Sequence, residues 1–146
     1  MGIEVRVLKP GEEGVLGRLA RDVFDAPVDP QLAAEFVNDP RLHLAVALDD
    51  GVVVGMASGV HYVHPDKPAE FWVNEVGVAA SHRRLGLGRA LLDALFARAR
   101  ELGCRQAWVA TEPGNEAARA LYSSVGGEGS PAPFVMYEFS LDRPKQ

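Results

Sequence analysis

The chain has 146 residues, of which 47% are hydrophobic and 24% charged, and its single cysteine cannot form an internal disulfide. A chain of this length buries enough surface to fold without disulfides or a structural metal, so we expect one ordinary soluble domain over residues 1–146. Its 15 Lys and Arg against 20 Asp and Glu give a net charge of −5, which argues against a general nucleic-acid binder and favours cationic partners.

The first nine residues, MGIEVRVLK, lack the apolar core of a secretory leader, and no apolar run approaches the roughly 20 residues of a membrane span. We therefore expect a cytoplasmic protein without a membrane partner. Neither Cys104 nor the histidines show metal-ligand spacing, so we expect no metal. Closed symmetric dimers are the commonest oligomers, which makes a homodimer the default expectation.

The first 40 residues predict a strand followed by two helices. Ile3, Val5 and Val7 alternate with other residues, as in a strand with one face on the core. Apolar residues at helical spacing predict a helix over residues 12–24. Asp29 is a good N-cap for a second helix over residues 30–37, because its side chain can accept hydrogen bonds from the first turn.

The middle of the chain predicts three strands. Apolar runs over 42–48 and 52–63 flank Asp49, Asp50 and Gly51, and an Asp-Gly pair tolerates the positive φ of a hairpin turn. The next strand covers 71–78. Gly77 within it indicates a bulge or a close approach of another backbone.

The last part of the chain predicts two helices that alternate with two strands. The helices cover 87–102, ending before Gly103, and 116–125. The strands cover 106–111 and 134–141, and the tail from Asp142 to Gln146 is expected to be poorly ordered. The whole order, β-α-α-β-β-β-α-β-α-β, predicts a mixed α/β layer with hairpin and crossover connections.

The most informative segment covers residues 76–92 and reads VGVAASHRRLGLGRALL, a strand that runs through a short turn into a helix. Free N–H groups at a helix start attract anions, and glycines let a phosphate approach the backbone closely. Arg89 and Ala90 stand where a P-loop needs Lys and Ser or Thr, and Leu91 stands where a dinucleotide motif needs Gly or Ala. The alternative is that Gly86 and Gly88 only shape a turn.

The R-x-x-G-x-G pattern of Arg83, Gly86 and Gly88 resembles the acetyl-CoA-binding motif of the GNAT acyltransferase superfamily, which usually has proline where this chain has Ala80. Downstream, the pattern N-x-x-A-R-x-L-Y from Asn115 to Tyr122 resembles the family's second motif. The segments WVNEVGV, ATEPxNxxARxLY and VMYEF are also similar to aminoglycoside 3-N-acetyltransferases and their relatives.

The resemblance implies an α/β fold with a mixed, mostly antiparallel twisted sheet, helices on both faces and a central splay between two parallel strands. It implies an N-acetyltransferase in which a primary amine, of an aminoglycoside or another cationic small molecule, directly attacks acetyl-CoA, the co-substrate. The alternatives are a protein or peptide N-acetyltransferase and a non-catalytic acyl-CoA-binding module. The cofactor-binding residues implied are Val76, Val78, Arg83, Arg84, Leu85, Gly86, Leu87, Gly88, Arg89, Asn115 and Tyr122.

By the same resemblance, Tyr122 is the general acid that protonates the leaving thiolate, and the Val78 N–H holds the thioester oxygen. A tyrosine that merely packs an amphipathic helix is the alternative for Tyr122. Asn115, two helical turns before Tyr122, is expected on the same helix face and is equally plausible as a plain N-cap.

Two carboxylates are candidates for the base that deprotonates the amine. Glu75 is predicted to share a strand face with apolar Phe71, Val73 and Gly77, where burial would favour uptake of a proton. A strand residue reaching solvent or an arginine is the alternative. Glu112 is the second candidate, and its alternative is a helix-start acid that complements the helix dipole.

Four further residues are expected to be structural. Trp72 and Trp108 lie in predicted strands and are interpreted as core or interface aromatics. Cys104 is interpreted as a packing residue. His82 is interpreted as an exposed loop residue, and the alternative is a contact with a phosphate.

Overall fold

The computed structural model describes residues 2–130 and 134–142. Its five strands are β1 (Glu4–Val7), β2 (Leu42–Asp49), β3 (Val52–Tyr62), β4 (Glu70–Val78) and β5 (Gln106–Trp108). Its three α-helices are α1 (Pro30–Asn38), α2 (Leu87–Glu101) and α3 (Glu116–Ser124). Two short 3-10 turns, Glu13–Gly17 and Ala80–His82, precede α1 and α2 respectively.

The strands form one sheet in the order β1-β2-β3-β4-β5. All neighbouring pairs are antiparallel except β4 and β5, which are parallel. The predicted hairpin turn joins β2 to β3, with Asp50 at φ 49° and Gly51 at φ 77°. The mixed, mostly antiparallel sheet expected from the sequence is therefore confirmed.

Helices cover both faces of the sheet. Helix α2 buries Leu91, Leu92 and Leu95 completely, and a Cβ at Gly55 of β3 would lie 3.1 Å from Leu91. Helix α1 packs on the opposite face. It lines a cavity together with Ser58 of β3, and residues 55 and 58 face opposite sides of the sheet because side-chain directions alternate along a strand. Asp29 caps α1 as predicted, accepting hydrogen bonds from the backbone N–H groups of the first turn.

The predicted helix over residues 12–24 is wrong. Only Glu13–Gly17 is helical, as a 3-10 turn, and glycines 14 and 17 disfavour a longer helix. Beyond the turn, the Arg18 carbonyl accepts from Val53 N–H at 2.9 Å and the Ala20 N–H donates to the Val53 carbonyl at 2.9 Å. The segment after Gly17 is therefore held extended beside β3.

The strands predicted in the last part of the chain are shorter than expected or absent. The predicted strand over 106–111 ends at Trp108, and residues 134–141 form no strand. The large apolar side chains of that last segment are exposed, from 76% at Val135 to 95% at Leu141. An alternating pattern yields a strand only where a neighbouring strand accepts its hydrogen bonds. The predicted tail, beyond Asp142, lies outside the described residues.

Within the described ranges, none of the helices is both long enough and apolar enough to cross a membrane. The same ranges contain no cluster of three or more His, Cys, Asp or Glu side chains able to hold a metal ion.

Candidate functional site

The turn between β4 and α2 presents a row of backbone N–H groups. Arg84 adopts φ 65° and Gly86, the N-cap of α2, adopts φ 75°. The first backbone hydrogen bond of the helix runs from Ala90 N to Gly86 O at 3.1 Å. The N–H groups of residues 85–89 make no hydrogen bond to any other described residue, and arginines 83, 84 and 89 are exposed around them. Such an arrangement at a helix start can bind an anion, so residues 83–89 form a candidate anion site.

A histidine that the sequence analysis assigned to solvent anchors this turn. The His82 side chain is only 21% exposed, and its Nε2 lies 2.7 Å from Asp49 Oδ2 in the β2–β3 hairpin. Its Nδ1 lies 2.7 Å from the Ser81 hydroxyl. The expectation of an exposed His82 is therefore wrong. The sequence could not reveal this contact, because the two residues are 33 positions apart in the chain.

The parallel strands β4 and β5 diverge beside the turn. Their pairing ends at Trp72 and Trp108, whereas β4 continues to Val78. The Ala79 N–H donates to Val54 on β3 at 2.8 Å. Because N–H directions alternate along a strand, the N–H of Val78 points away from β3 into the gap. The Val76 N–H points the same way, and the splay expected from the sequence is present.

Helix α3 packs against the start of α2. A Cβ at Gly88 would lie 3.1 Å from Leu121 Cδ2, which brings the helix that carries Tyr122 next to the anion site. Tyr122 is half-buried, and burial raises the pKa of its hydroxyl. Asn115 is the N-cap of α3, and its Oδ1 accepts from Ala118 N–H at 3.0 Å. The N-cap interpretation of Asn115 is confirmed.

Glu75 lies on the sheet face opposite to Phe71 and Val73, so the predicted face is wrong. The pairing of β3 with β4 shifts between Ser58 and Gly59, with Gly59 opposite Val73 and Ser58 opposite Glu75. One extra residue in β4 therefore reverses the side-chain alternation before Glu75. Glu75 is also exposed rather than buried. The close backbone approach predicted at Gly77 is confirmed, because a Cβ there would overlap the Val23 carbonyl.

Glu75 opens onto a cavity of about 350 Å³ between α1 and the sheet. Its polar lining residues are Asp25, Asp29, Ser58 and Glu75, and the rest of its lining is apolar, including Phe24 and Phe36. Three carboxylates in a mostly apolar wall suit a cationic ligand with an apolar body. Sequence analysis missed this lining because residues 24–28 show no periodic pattern. Glu112 is exposed in the turn before α3 and does not line this cavity.

The core interpretation of both tryptophans is wrong, whereas the interface alternative stays a prediction. Trp72 is 39% exposed and Trp108 is 40% exposed, and their rings stack on each other with centroids 6.0 Å apart. Cys104 is buried, as the packing interpretation expects, and burial raises the pKa of its thiol.

Comparison with known proteins gives a family for this fold and site. Residues 16–126 match the model of the acetyltransferase (GNAT) family. The chain belongs to this family. The matched range contains the β4–α2 turn, the splayed strands and all of α3, so the features described above lie within the GNAT domain.

Two kinds of relative are similar to this GNAT chain. The N-alpha-acetyltransferase RimI of Mycobacterium tuberculosis is 36% identical over 104 residues, which cover 71% of this chain and 63% of that protein. The chain thus matches less than two thirds of the length of that curated relative. An aminoglycoside acetyltransferase, meta-AAC0020 from an uncultured soil metagenomic sample, was solved in complex with sisomicin. It has a TM-score of 0.83 at 16% identity over 96% of this chain and 97% of its own.

A third similar structure is the aminoglycoside acetyltransferase AAC(6')-Iy in complex with the bisubstrate analogue CoA-S-monomethyl-acetylneamine. It has a TM-score of 0.76 at 20% identity, over 96% of this chain and 99% of its own. At these identities the structural likeness shows the fold.

Proposed function

We propose that this protein is an acetyl-CoA-dependent N-acetyltransferase whose acceptor is a primary amine on a small cationic molecule. The observation that carries the proposal is the row of N–H groups over residues 85–89, free of other described partners, at the end of the splayed strand β4. Family membership and the names of the similar proteins, which include RimI and two aminoglycoside acetyltransferases, support the same chemistry.

The residues of the β4–α2 turn fit the pyrophosphate of coenzyme A. Backbone donors from Leu85 to Arg89 can surround the phosphate oxygens, and Arg83 and Arg84 add positive charge. A Cβ at Gly86 would meet no atom within 4 Å, so the space beside the turn is open to a ligand. The N-cap Asn115 lies at the start of the neighbouring helix and is the further cofactor contact that the family resemblance implies.

The gap between β4 and β5 fits the amide-bearing arm of the same molecule. Val76 and Val78 direct their N–H groups into the gap, where an extended chain with amide carbonyls can pair with them as an added strand does. The N–H of Val78, at the end of the gap nearest the turn, is the donor we assign to the thioester oxygen. This hydrogen bond strengthens as negative charge develops on that oxygen.

Acetyl-CoA supplies an activated acetyl group as a thioester. The amine nitrogen forms a bond to the acetyl carbon, the carbon–sulfur bond breaks, and the products are an N-acetyl amine and the free thiol. Tyr122 is the general acid that gives its proton to the departing sulfur, and its raised pKa keeps the hydroxyl protonated at neutral pH. Covalent catalysis by Cys104 is disfavoured because burial keeps that thiol protonated.

Glu75 is the base that we assign to the acceptor amine. Its carboxylate opens onto the cavity that also contains Asp25 and Asp29, so an ammonium ion can be held there and lose a proton directly or through water. Glu112 remains the second candidate for this role. The acidic lining and the net charge of −5 support a cationic acceptor over a neutral one.

The test is an acceptor screen with acetyl-CoA, read as release of free thiol. The panel contains aminoglycosides, linear diamines, single amino acids and peptides with free N-termini. We expect amine-dependent turnover with small cationic amines, and loss of CoA binding in Gly86→Asp, which adds a carboxylate beside the phosphates. Turnover on peptides alone would support the peptide N-acetyltransferase alternative. Saturable CoA binding without turnover on any amine would support the binding module.

A further inference from the structure

Three side chains of β4 form a row on the sheet face that carries the acidic cavity. Glu70 pairs with Tyr62, Trp72 with Val60, and Glu75 with Ser58. Residues 58, 60 and 62 alternate along β3 and share one face, so their partners on β4 share it too. The row therefore reads carboxylate, indole, carboxylate, with steps of roughly 7 Å.

The indole in this row belongs to an oriented pair. Trp72 lies directly opposite Trp108 in the parallel register, with ring centroids 6.0 Å apart and planes inclined by 24°. The Trp108 Nε1–H donates to Glu70 Oε2 at 2.8 Å. This hydrogen bond fixes the ring, while about 40% of each tryptophan remains exposed. Two aromatic rings held in a fixed, exposed position offer a face on which a ligand can stack.

We propose that Trp72 and Trp108 form a second acceptor subsite, which binds a cationic group of the acceptor remote from the reacting amine. The inference rests on the proposed function, because it assigns the reacting amine to Glu75. An ammonium group over an indole face is attracted by the ring's quadrupole, and the carboxylates of Glu70 and Glu75 add negative potential on either side. The acceptor class is thus a small molecule with two or more ammonium groups separated by about 7 Å.

Charge complementarity favours this occupant over an apolar protein partner. His64 lies beside the pair, with its Nε2 2.9 Å from Glu70 Oε1. The carboxylates of Glu70 and Glu75 on either side of Trp72 attract a cationic group. A docking surface for an apolar segment of a second copy would instead be disfavoured by the two flanking carboxylates.

The two indoles allow a direct test, because the chain contains no other tryptophan. Intrinsic fluorescence at pH 8 is followed while 1,5-diaminopentane is added, with pentylamine as the matched monoamine. We expect a saturable emission change at lower concentration for the diamine than for the monoamine. In Trp72→Leu we expect the KM of the diamine to rise on the order of fivefold, with the monoamine KM unchanged and partial recovery in Trp72→Phe. Tyr62→Leu, an exposed aromatic on the same face, is the control that leaves both constants unchanged.

An unchanged diamine KM in both Trp72→Leu and Trp108→Leu would overturn the subsite. So would an emission spectrum that depends on protein concentration without ligand, because a second copy would then cover the pair. Failure of the proposed function looks different. No amine would then be acetylated, whereas a saturable diamine-dependent emission change that is lost in Trp72→Leu would still support the subsite.

Discussion

Gly88 in the first turn of α2 is packed against Leu121 of α3, so that a Cβ at residue 88 would lie 3.1 Å from Leu121 Cδ2 and 3.2 Å from Cδ1. Leu121 precedes Tyr122, so this contact sets the distance from the proposed acid to the anion site. The small size of residue 88 therefore has two effects: it lets α3 approach the start of α2 closely, and it leaves the backbone N–H groups of the turn accessible.

The first prediction is that Gly88→Ala lowers turnover about tenfold by pushing α3 and Tyr122 away from the turn, since overpacked contacts relax through small backbone shifts. Turnover and the KM of acetyl-CoA are measured in the single variants and in the double variant with Leu121→Ala. We expect the double variant to recover much of the lost turnover, which is a favourable coupling between the two sites. Strictly additive losses would contradict the contact.

Gly86→Ala serves as the comparison for that experiment. Residue 86 has open space around it but a φ of 75°, so its defect comes from backbone strain. Leu121→Ala should not relieve the defect of Gly86→Ala.

The second prediction concerns Gly77 and the backbone of Val23. An alanine Cβ at residue 77 would overlap the Val23 carbonyl, and Val23 is 3% exposed and held in the core. Since backbone cannot turn aside as a side chain does, we expect Gly77→Ala to reduce the free energy of unfolding by about 1–3 kcal/mol. Urea denaturation measures the change. Gly14→Ala, with nothing within 4 Å of its Cβ, is the matched control, and equal stability of both variants would refute the close approach.

Local chemistry explains which elements the sequence predicts correctly. Asp29 caps α1, Gly51 closes the hairpin, and the apolar stripe of α2 faces the core, because each depends on residues close together in the chain. The turn at the start of α2, which contains the candidate anion site, belongs to the same class. A turn, a helix start and two glycines define it within a few residues.

The errors come from contacts between distant residues. The side of the sheet on which Glu75 lies depends on a register shift opposite Ser58, which no pattern within β4 reveals. The segment after Gly17 leaves the helical path because it pairs with Val53 on β3. Hydrophobic spacing within a segment predicts a helix or a strand face, but hydrogen bonds to a partner strand determine which structure forms and which face each side chain occupies.

The third prediction is that Tyr122→Phe lowers turnover by a hundredfold or more, as expected for loss of a general acid, while CoA affinity changes little. Burial raises the pKa of Tyr122, so the wild-type hydroxyl stays a proton donor until the pH exceeds the ordinary tyrosine value of about 10. We therefore expect an alkaline fall in wild-type turnover that the phenylalanine variant lacks. Parallel losses in turnover and CoA affinity would argue against the acid role.

The last prediction is a pH dependence of stability that originates at His43. This residue is 5% exposed, and its Nε2 lies 2.8 Å from His61 Nδ1. Burial, followed by the nearby positive charges of His61 and Arg98, lowers the pKa of His43 from 6.5 to about 4, although Asp39 opposes the shift. Between these two values the unfolded chain binds a proton that the folded chain does not accept.

The sign follows from this difference in proton binding. The contribution of His43 to the free energy of unfolding is fully present above pH 6.5. It declines as the pH falls towards 4, by at most about 1.4 kcal/mol for each pH unit. Urea denaturation at a series of pH values measures the slope. In His43→Leu the slope should become shallower, and the remaining part should come from groups such as His61, whose pKa burial also lowers. Identical slopes in wild type and variant would show that His43 takes up its proton without a folding penalty.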